Sequence, residues 1–501
     1  MGKKLVSNTT FLLADWIIVS IFSFLFWLII GKFLSKEDYG IIAITINTAI
    51  LLSTVSHFGT GNTLTKLISE YIQRRRRELS SVLIKFSFKI LLVTNSVIFL
   101  TLVLFSSQLS SILKISQSNV VIMGAMTFVL SFANVSGSIV QGFQDMRKIA
   151  ISDTIGYFIK FFGTLVFLLM FLNNMIPILV FLASSLVIFL LRFDSKWLFS
   201  RGNHLNYRET VSKYLFPTFI AILAWQIFTN AQYLILTVMQ DPATTGVFSV
   251  AAIVTTLIAV IPTTISGAFF PILSQMSVLP SFRKQREYLI SQVIRYSLFV
   301  SIPVAIVFIF FPSKIIIFFA RSEFLDATSL FPILSIAALF NGMGILFMQS
   351  LYAFQKVRLY RNIIIFTAVI FLSLALMLTQ TFSAIGLAIS FTVSMIFLFT
   401  ASLYHLRKIL KIPVAVVDLA KIVLAAGISI SVFYLASQFI LNDIFEFILL
   451  GFSALIYPFI LLPLRFYRQQ DIRILEFIRG LLPTSMKRFV GIIIGIISKF
   501  V

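Results

Sequence analysis

Inside an apolar run at residues 149–172 stands a lysine, Lys160, with Tyr157 and Asp153 before it. Positions i, i+4 and i+7 share one helix face, so an ammonium, a phenol and a carboxylate are offered together within a segment otherwise suited to hydrocarbon. A charge at the centre of a membrane helix costs about 2.5–3.5 kcal/mol on insertion scales, so Lys160 needs water or a partner. Two accounts meet that need. The face lines a cavity, with Lys160 attracting an anion and Asp153 tuning it or accepting a proton; or Lys160 and Asp153 form an internal ion pair that holds this helix to a neighbour. Asp15, inside the apolar run Phe11 to Ile30, poses the same choice between a proton or sodium site and a bond to another helix.

Three further cations sit towards the ends of apolar runs. Lys85 and Lys89 are one turn apart in the third run, and Arg295 repeats their placement in the ninth. They read either as a basic ring gathering an anionic lipid headgroup at a mouth or as side chains reaching out to the headgroup layer. Uncharged polar residues form stripes: Gln226, Asn230 and Tyr233 at i, i+4 and i+7, and Asn134, Ser138 and Gln141 in the same pattern. Amides and hydroxyls on one face suit a sugar; the competing account is hydrogen bonding between helices, worth only about 0.6 kcal/mol on average. Pro217, Pro262 and Pro303 fall in or near apolar runs and read as kinks. His57 beside Phe58-Gly59 reads as a packed polar group, and His204 and His405 lie in basic loops.

Other chemistry is missing. The sequence contains no Gly-x-x-x-x-Gly-Lys-Ser/Thr phosphate loop, no His-Glu-x-x-His and no Gly-x-Ser-x-Gly. With no Cys there are no disulfides, thiolate metal sites or thiol nucleophiles. Neither an enzyme nor a cofactor or metal is expected, and any transport must draw on an ion gradient, membrane potential or removal of product.

The elements that position these residues must be membrane helices. At 59% hydrophobic, 12% charged and a mean hydropathy of +1.02, the chain belongs in lipid rather than around an aqueous core. At roughly 20 residues per span we place fourteen helices, at 10–31, 40–62, 83–106, 119–141, 149–172, 175–195, 212–238, 245–271, 291–312, 327–350, 361–379, 382–404, 417–440 and 445–463. The first reads as a retained helix rather than a signal peptide. The loops then separate by charge. One side carries Arg74 to Arg77, Arg147, Lys148, Arg283 to Arg286, Lys356 to Arg361, Arg407 to Lys411 and seven basic residues from Arg465 to Lys499. The other has only Lys32, Lys36, Lys114, Lys314 and Arg321. The positive-inside rule makes the rich side cytoplasmic, with both termini on it. The net charge of +22 is therefore topology, and no nucleic-acid partner is expected.

The chain also repeats. Leu34-Ser-Lys-Glu-Asp-Tyr-Gly40 ahead of the second run is echoed by Met239-Gln-Asp-Pro-Ala-Thr-Thr-Gly246 ahead of the eighth, and Gly142-Phe-Gln-Asp-Met-Arg147 by Ala353-Phe-Gln-Lys-Val-Arg358. Two six-helix lobes in one orientation follow, related by an axis along the membrane normal. We divide the chain into an N-terminal lobe (1–195), a cytoplasmic linker (196–211), a C-terminal lobe (212–404), helices thirteen and fourteen (405–463) and a cytoplasmic amphipathic tail (464–501). The tail reads as an interfacial anchor.

The two repeated turns, the paired Phe-Gln loops, Phe58-Gly59, Lys66 to Glu70 and the layout of six, six and two helices resemble the polysaccharide transporter family. Its members are Wzx-type lipid-linked oligosaccharide flippases of the multidrug/oligosaccharidyl-lipid/polysaccharide exporter superfamily. The resemblance implies a V-shaped pair of lobes around a cavity that opens alternately to each side. It implies a polyprenyl-diphosphate oligosaccharide substrate, such as an O-antigen repeat unit, whose sugar head crosses the cytoplasmic membrane while its tail stays in lipid. A coupling proton or sodium ion, membrane lipids and polysaccharide-assembly proteins are the partners it implies. A drug exporter of the same fold would rest on buried carboxylates, and an integral glycan polymerase or ligase on large external loops, which this sequence lacks.

Overall fold

The computed structural model describes residues 2–199, 207–277, 283–410, 416–438, 443–481 and 484–500, and those residues form helices and turns without a strand. The crossings are α1 Gly2–Phe33, α2 Lys36–His57, α3 Arg77–Leu104, α4 Gln117–Gly142, α5 Met146–Met170 and α6 Met175–Arg192, followed by α7 Phe216–Met239, α8 Pro242–Ser277, α9 Arg283–Phe310 and α10 Leu330–Ala353. Val357–Ile409 is one helical stretch broken at Ser383 (φ 53, ψ −134), giving α11 (357–382) and α12 (384–409). α13 Val416–Ser437 and α14 Asp443–Ile460 complete the set. The Arg201 to His204 stretch of the expected linker lies outside the described residues.

Twelve described helical segments are long and apolar enough to cross a membrane. One of them holds both α11 and α12, and α14 adds an 18-residue apolar helix, so the chain is an all-helical multi-pass membrane protein with the expected fourteen crossings. The second expected span, 40–62, is corrected. α2 stops at His57, where Phe58 (φ 44) and Gly59 (φ 74) turn left-handed, and a separate helix, Thr60–Gln73, begins. An αL residue followed by Gly is a helix-stop signal, which the continuous apolar character of the stretch had hidden. Short helices at Ser106–Leu113 and Pro312–Phe319 sit at the ends of α3 and α9.

In one lobe α5 packs on α1 and α6, and α4 on α2, α3 and α6; in the other α10 packs on α8 and on the 357–409 stretch, which also meets α7. α13 pairs with α14 and rests on α9. The repeat is visible in the backbone. Gln144 (φ 60) and Gln355 (φ 59) both turn left-handed. The turns close with the same bonds, Gln144 N to Gln141 O and Asp145 N to Val140 O, against Gln355 N to Tyr352 O and Lys356 N to Leu351 O.

The lobes meet where α2 crosses α8. A Cβ on Gly40 would stand 2.6 Å from the Pro242 carbonyl carbon, and a Cβ on Gly246 would stand 2.9 Å from that of Lys36. The contact is reciprocal, as a two-fold relation between repeats requires. Glycine is needed at both places because only a backbone without Cβ lets the helices approach so closely.

Candidate functional site

Lys160 points into the N-terminal lobe, among α1, α5 and α6, and is 5% exposed. Its Nζ donates to Ser23 Oγ at 3.3 Å and lies 4.0 Å above the Tyr157 ring, 5.1 Å from that of Phe26 and 5.2 Å from that of Phe181. Aromatic faces attract a cation, the more so when it is desolvated. Lys160 makes no ion pair with a carboxylate among the described residues. The Lys160–Asp153 pair considered from the sequence is therefore corrected: Asp153 Oδ2 is 2.5 Å from Arg192 Nη2. Arg192 is 6% exposed and also donates from Nε to Ser152 Oγ (2.8 Å) and from Nη1 to Ala133 O (3.3 Å).

These groups surround a cavity of about 90 Å³ lined by Asn134, Asp153, Tyr157, Lys160, Ser184 and Arg192. Asp15 is buried on α1 within electrostatic range of Asp153 and Arg192, and its Oδ1 has no hydrogen-bond partner among the described residues. The arrangement presents a cation held by aromatic rings, a neutralised Arg–Asp pair and a carboxylate with open bonding capacity. It can attract an anion at Lys160 and take up a proton or small cation at Asp15.

The chamber is confined to one repeat. In the register fixed by the two Phe-Gln loops, Asp153, Tyr157 and Lys160 correspond to Ile364, Ala368 and Phe371, all buried in the apolar core of the other lobe. Sequence reasoning missed Arg192, which falls at the end of the span expected at 175–195 and is not singled out there. Its place is set by Gly137 on α4, where a Cβ would lie 2.7 Å from Arg192 Nη1, a contact that only the fold reveals.

The remaining expected site residues are dispersed. Asn134 is exposed and lines the chamber, whereas Gln141 is exposed at the far end of α4. Gln226 and Asn230 are half-buried and bonded to each other, with Thr229 Oγ1 donating to Gln226 Oε1 at 3.3 Å. Tyr233 leaves that stripe: it is 6% exposed and set edge-on against Phe248. Lys85 is half-buried and Lys89 exposed. Lys89 heads an α3 face that continues through Val93 and Leu100, 63% and 56% exposed, as a lipid-facing stripe does.

Arg295 is not at an open mouth. It is 3% exposed, and its guanidinium forks onto Asp471, Nη1 to Oδ1 at 3.0 Å and Nη2 to Oδ2 at 2.7 Å, while Nη2 also donates to Phe466 O at 2.6 Å. Asp418 Oδ2 on α13 is 3.7 Å from Arg295 Nε and takes Arg468 Nη2 at 2.6 Å. Tyr296 donates its hydroxyl to Asp471, and the Phe466 ring lies 4.3 Å from the Arg295 guanidinium. Nearby, Tyr467 donates to Pro458 O at 3.0 Å, and burial raises its hydroxyl to about 12. Two carboxylates far along the chain converge on this arginine and tie α13 and the start of the tail to α9.

At the end poor in basic residues, three lysines of the first lobe reach the second. Lys32 Nζ donates to Ile317 O at 2.7 Å, Lys36 pairs with Asp326 at 2.8 Å, and Lys114 donates to Gln240 O. Lys32 and Lys114 thus sit on carbonyls at helix C-termini, where a cation is favoured. At the opposite end Phe58 stacks on Phe219 with centroids 4.6 Å apart, and a Cβ on Gly267 would lie 2.9 Å from the Trp16 ring. The lobes touch at both ends.

A family profile described as "Polysaccharide biosynthesis protein" matches residues 5–277. No curated protein sequence matches. Among solved structures, "Lipid II flippase MurJ, inward closed conformation" superposes with a TM-score of 0.69 at 20% identity, covering 91% of this chain and 97% of that one. An inward-facing multidrug resistance MATE family transporter of the MOP superfamily gives 0.62 at 16% identity, with 80% and 95% covered. The MATE multidrug transporter DinF-BH gives 0.59 at 13%, with 81% and 96% covered. At these identities the likeness is one of fold.

Proposed function

Since the chain belongs to the polysaccharide biosynthesis protein family and has the fold of MOP-type transporters, we propose that it is a flippase for polyprenyl-diphosphate-linked oligosaccharide. The sugar head, an O-antigen or other surface-polysaccharide repeat unit, crosses the cytoplasmic membrane by alternating opening of the two ends while the prenyl tail remains in lipid. Both termini lie in the cytoplasm, the side to which the basic end belongs. The observation that carries this is Lys160: a buried cation with no carboxylate partner among the described residues, beside a polar cavity, in one lobe only. Lys160 attracts the diphosphate or an acidic sugar. Asn134, Gln226 and Asn230 contact sugar hydroxyls, and Asp15 with Asp153 responds to the coupling proton or sodium ion.

The test is glycan export in cells lacking their own flippase. Lys160→Ala abolishes export at unchanged membrane abundance, and Lys160→Arg restores part of it; export at the native level by Lys160→Ala removes Lys160 from the mechanism. Asp15, with its open carboxylate oxygen, supports a second reading as a MATE-like exporter of cationic drugs. On that reading Asp15→Asn abolishes drug resistance and Lys160→Ala leaves it intact.

A further inference from the structure

Between the basic-end halves of α11 and α12 runs a groove of about 490 Å³, lined among others by Asn362, Phe366, Phe397, Thr400, Tyr404 and His405. Its size is that of a ligand site. The groove is open to the surface: its half nearer the membrane centre is apolar, with Phe366 60% exposed, and its basic-end half carries Tyr404, 57% exposed, with Asn362 and His405. Aromatic side chains at such a level mark the headgroup boundary.

The rim is cationic. Arg358, Arg407 and Lys408 are exposed and Arg361 half-buried. Arg361 Nε and Nη2 rest on Asn362 Oδ1 at 3.3 and 3.2 Å, and Lys408 Nζ stands 4.3 Å above the Tyr404 ring. Residues 357–409 include no Asp or Glu, so this stretch offers these cations no carboxylate of its own.

The equivalent place in the first lobe shows what is particular here. There a groove of about 240 Å³ is lined by Asp145, Arg147, Lys148 and Ile151. A carboxylate is at hand there, with Asp145 on the rim, and Lys148 is turned to Arg192 O at 3.0 Å. In the shared register Ile151 becomes Asn362. The second lobe has a larger groove, a polar residue at its mouth and a basic rim with no carboxylate from its own helices.

We propose that the α11–α12 groove binds a membrane glycerophospholipid with an anionic headgroup. The phosphate sits between Arg361 and Lys408, the glycerol and ester region meets Asn362 and Tyr404, and one acyl chain lies along Phe366 and Phe397. Guanidinium and ammonium groups are the natural partners of a phosphodiester, and basic pockets between helices at the cytoplasmic face suit anionic headgroups. This does not rest on the flippase reading, because the occupant is a structural lipid rather than cargo.

The test is native mass spectrometry of the full-length protein exchanged into mixed phosphatidylglycerol and phosphatidylcholine. The wild type retains phosphatidylglycerol in preference to phosphatidylcholine. Arg361→Gln with Lys408→Gln lowers that retention by about tenfold or more, as expected for loss of charge-assisted contacts, while Arg147→Gln in the other lobe leaves it unchanged. Should the double variant fail to fold, Asn362→Ile, which copies the residue of the first lobe, weakens retention in its place. Equal retention of the two lipids by the wild type overturns the proposal. So does an undiminished phosphatidylglycerol preference in a folded double variant, or an equal loss from Arg147→Gln.

Discussion

Replacing Gly40 with Ala adds one methyl group where α2 crosses α8. That carbon would stand 2.6 Å from the Pro242 carbonyl carbon, against an optimal carbon–carbon separation of about 3.5–4.0 Å. The Pro242 carbonyl oxygen is nearer still, and this backbone obstacle cannot rotate away, so the helices must part by more than about 1 Å. Overpacking of this kind costs about 1–3 kcal/mol. The cost falls only on the state in which this end is closed, so the equilibrium between closed and open shifts by about 5- to 150-fold. The protein supplies its own reporter, for it has no Cys. The Gly31 Cβ position lies 3.3 Å from Ala320 Cβ in the other lobe, close to the Cβ separation of about 3.5–4.5 Å that a disulfide spans. Gly31→Cys with Ala320→Cys should therefore cross-link readily under mild oxidation, arrest transport when oxidised and release it on reduction. Adding Gly40→Ala should slow the cross-link and impair transport. Gly427→Ala, where an added Cβ meets nothing within 4 Å, should do neither. The reasoning is refuted if Gly40→Ala cross-links and transports like the parent.

Arg295→Ala leaves Asp471 and Asp418 buried without their shared partner and should lower stability by about 3–5 kcal/mol, read as a fall in thermal unfolding temperature. Lys89→Ala, on an exposed stripe, should leave that temperature unchanged. Changing Gln226 and Asn230 together to Leu should weaken transport of the native glycan more than that of a shorter one; equal effects would assign the pair to helix packing.

Helix number and the repeat were legible because each rests on a local signal. A run of apolar residues reports a crossing, and the echoed turns report the repeat, although not that their glycines Gly40 and Gly246 meet. The side-chain assignments needed distance information. Lys89 and Arg295 occupy similar places in similar helices, yet one faces outward and the other lies under two carboxylates more than a hundred positions away. Likewise Asp153 is one turn from Tyr157 and two from Lys160 on its own helix but bonds Arg192 across the lobe. Nothing in a spacing rule distinguishes a partner on the same helix from a better one on the next. The left-handed turn at Phe58 was missed for a different reason, since hydropathy averages over the single residue that redirects the chain.

The two lobes share turns and crossings but not their interiors. If the helices of the first lobe needed only to pack, Lys160 could be replaced by Phe, as Phe371 fills the matching place in the second. A midplane ammonium without a carboxylate partner is disfavoured by about 2.5–3.5 kcal/mol relative to such a residue, and three aromatic faces and a serine hydroxyl return energy of the same order rather than a surplus. Packing alone thus tolerates Lys160 but gives no reason to prefer it to the phenylalanine of the second lobe. On the flippase proposal that difference between the lobes has a use, since an anion reaching Lys160 from the Asn134 side carries the sign that answers its charge, and the Lys160→Ala export assay is its test.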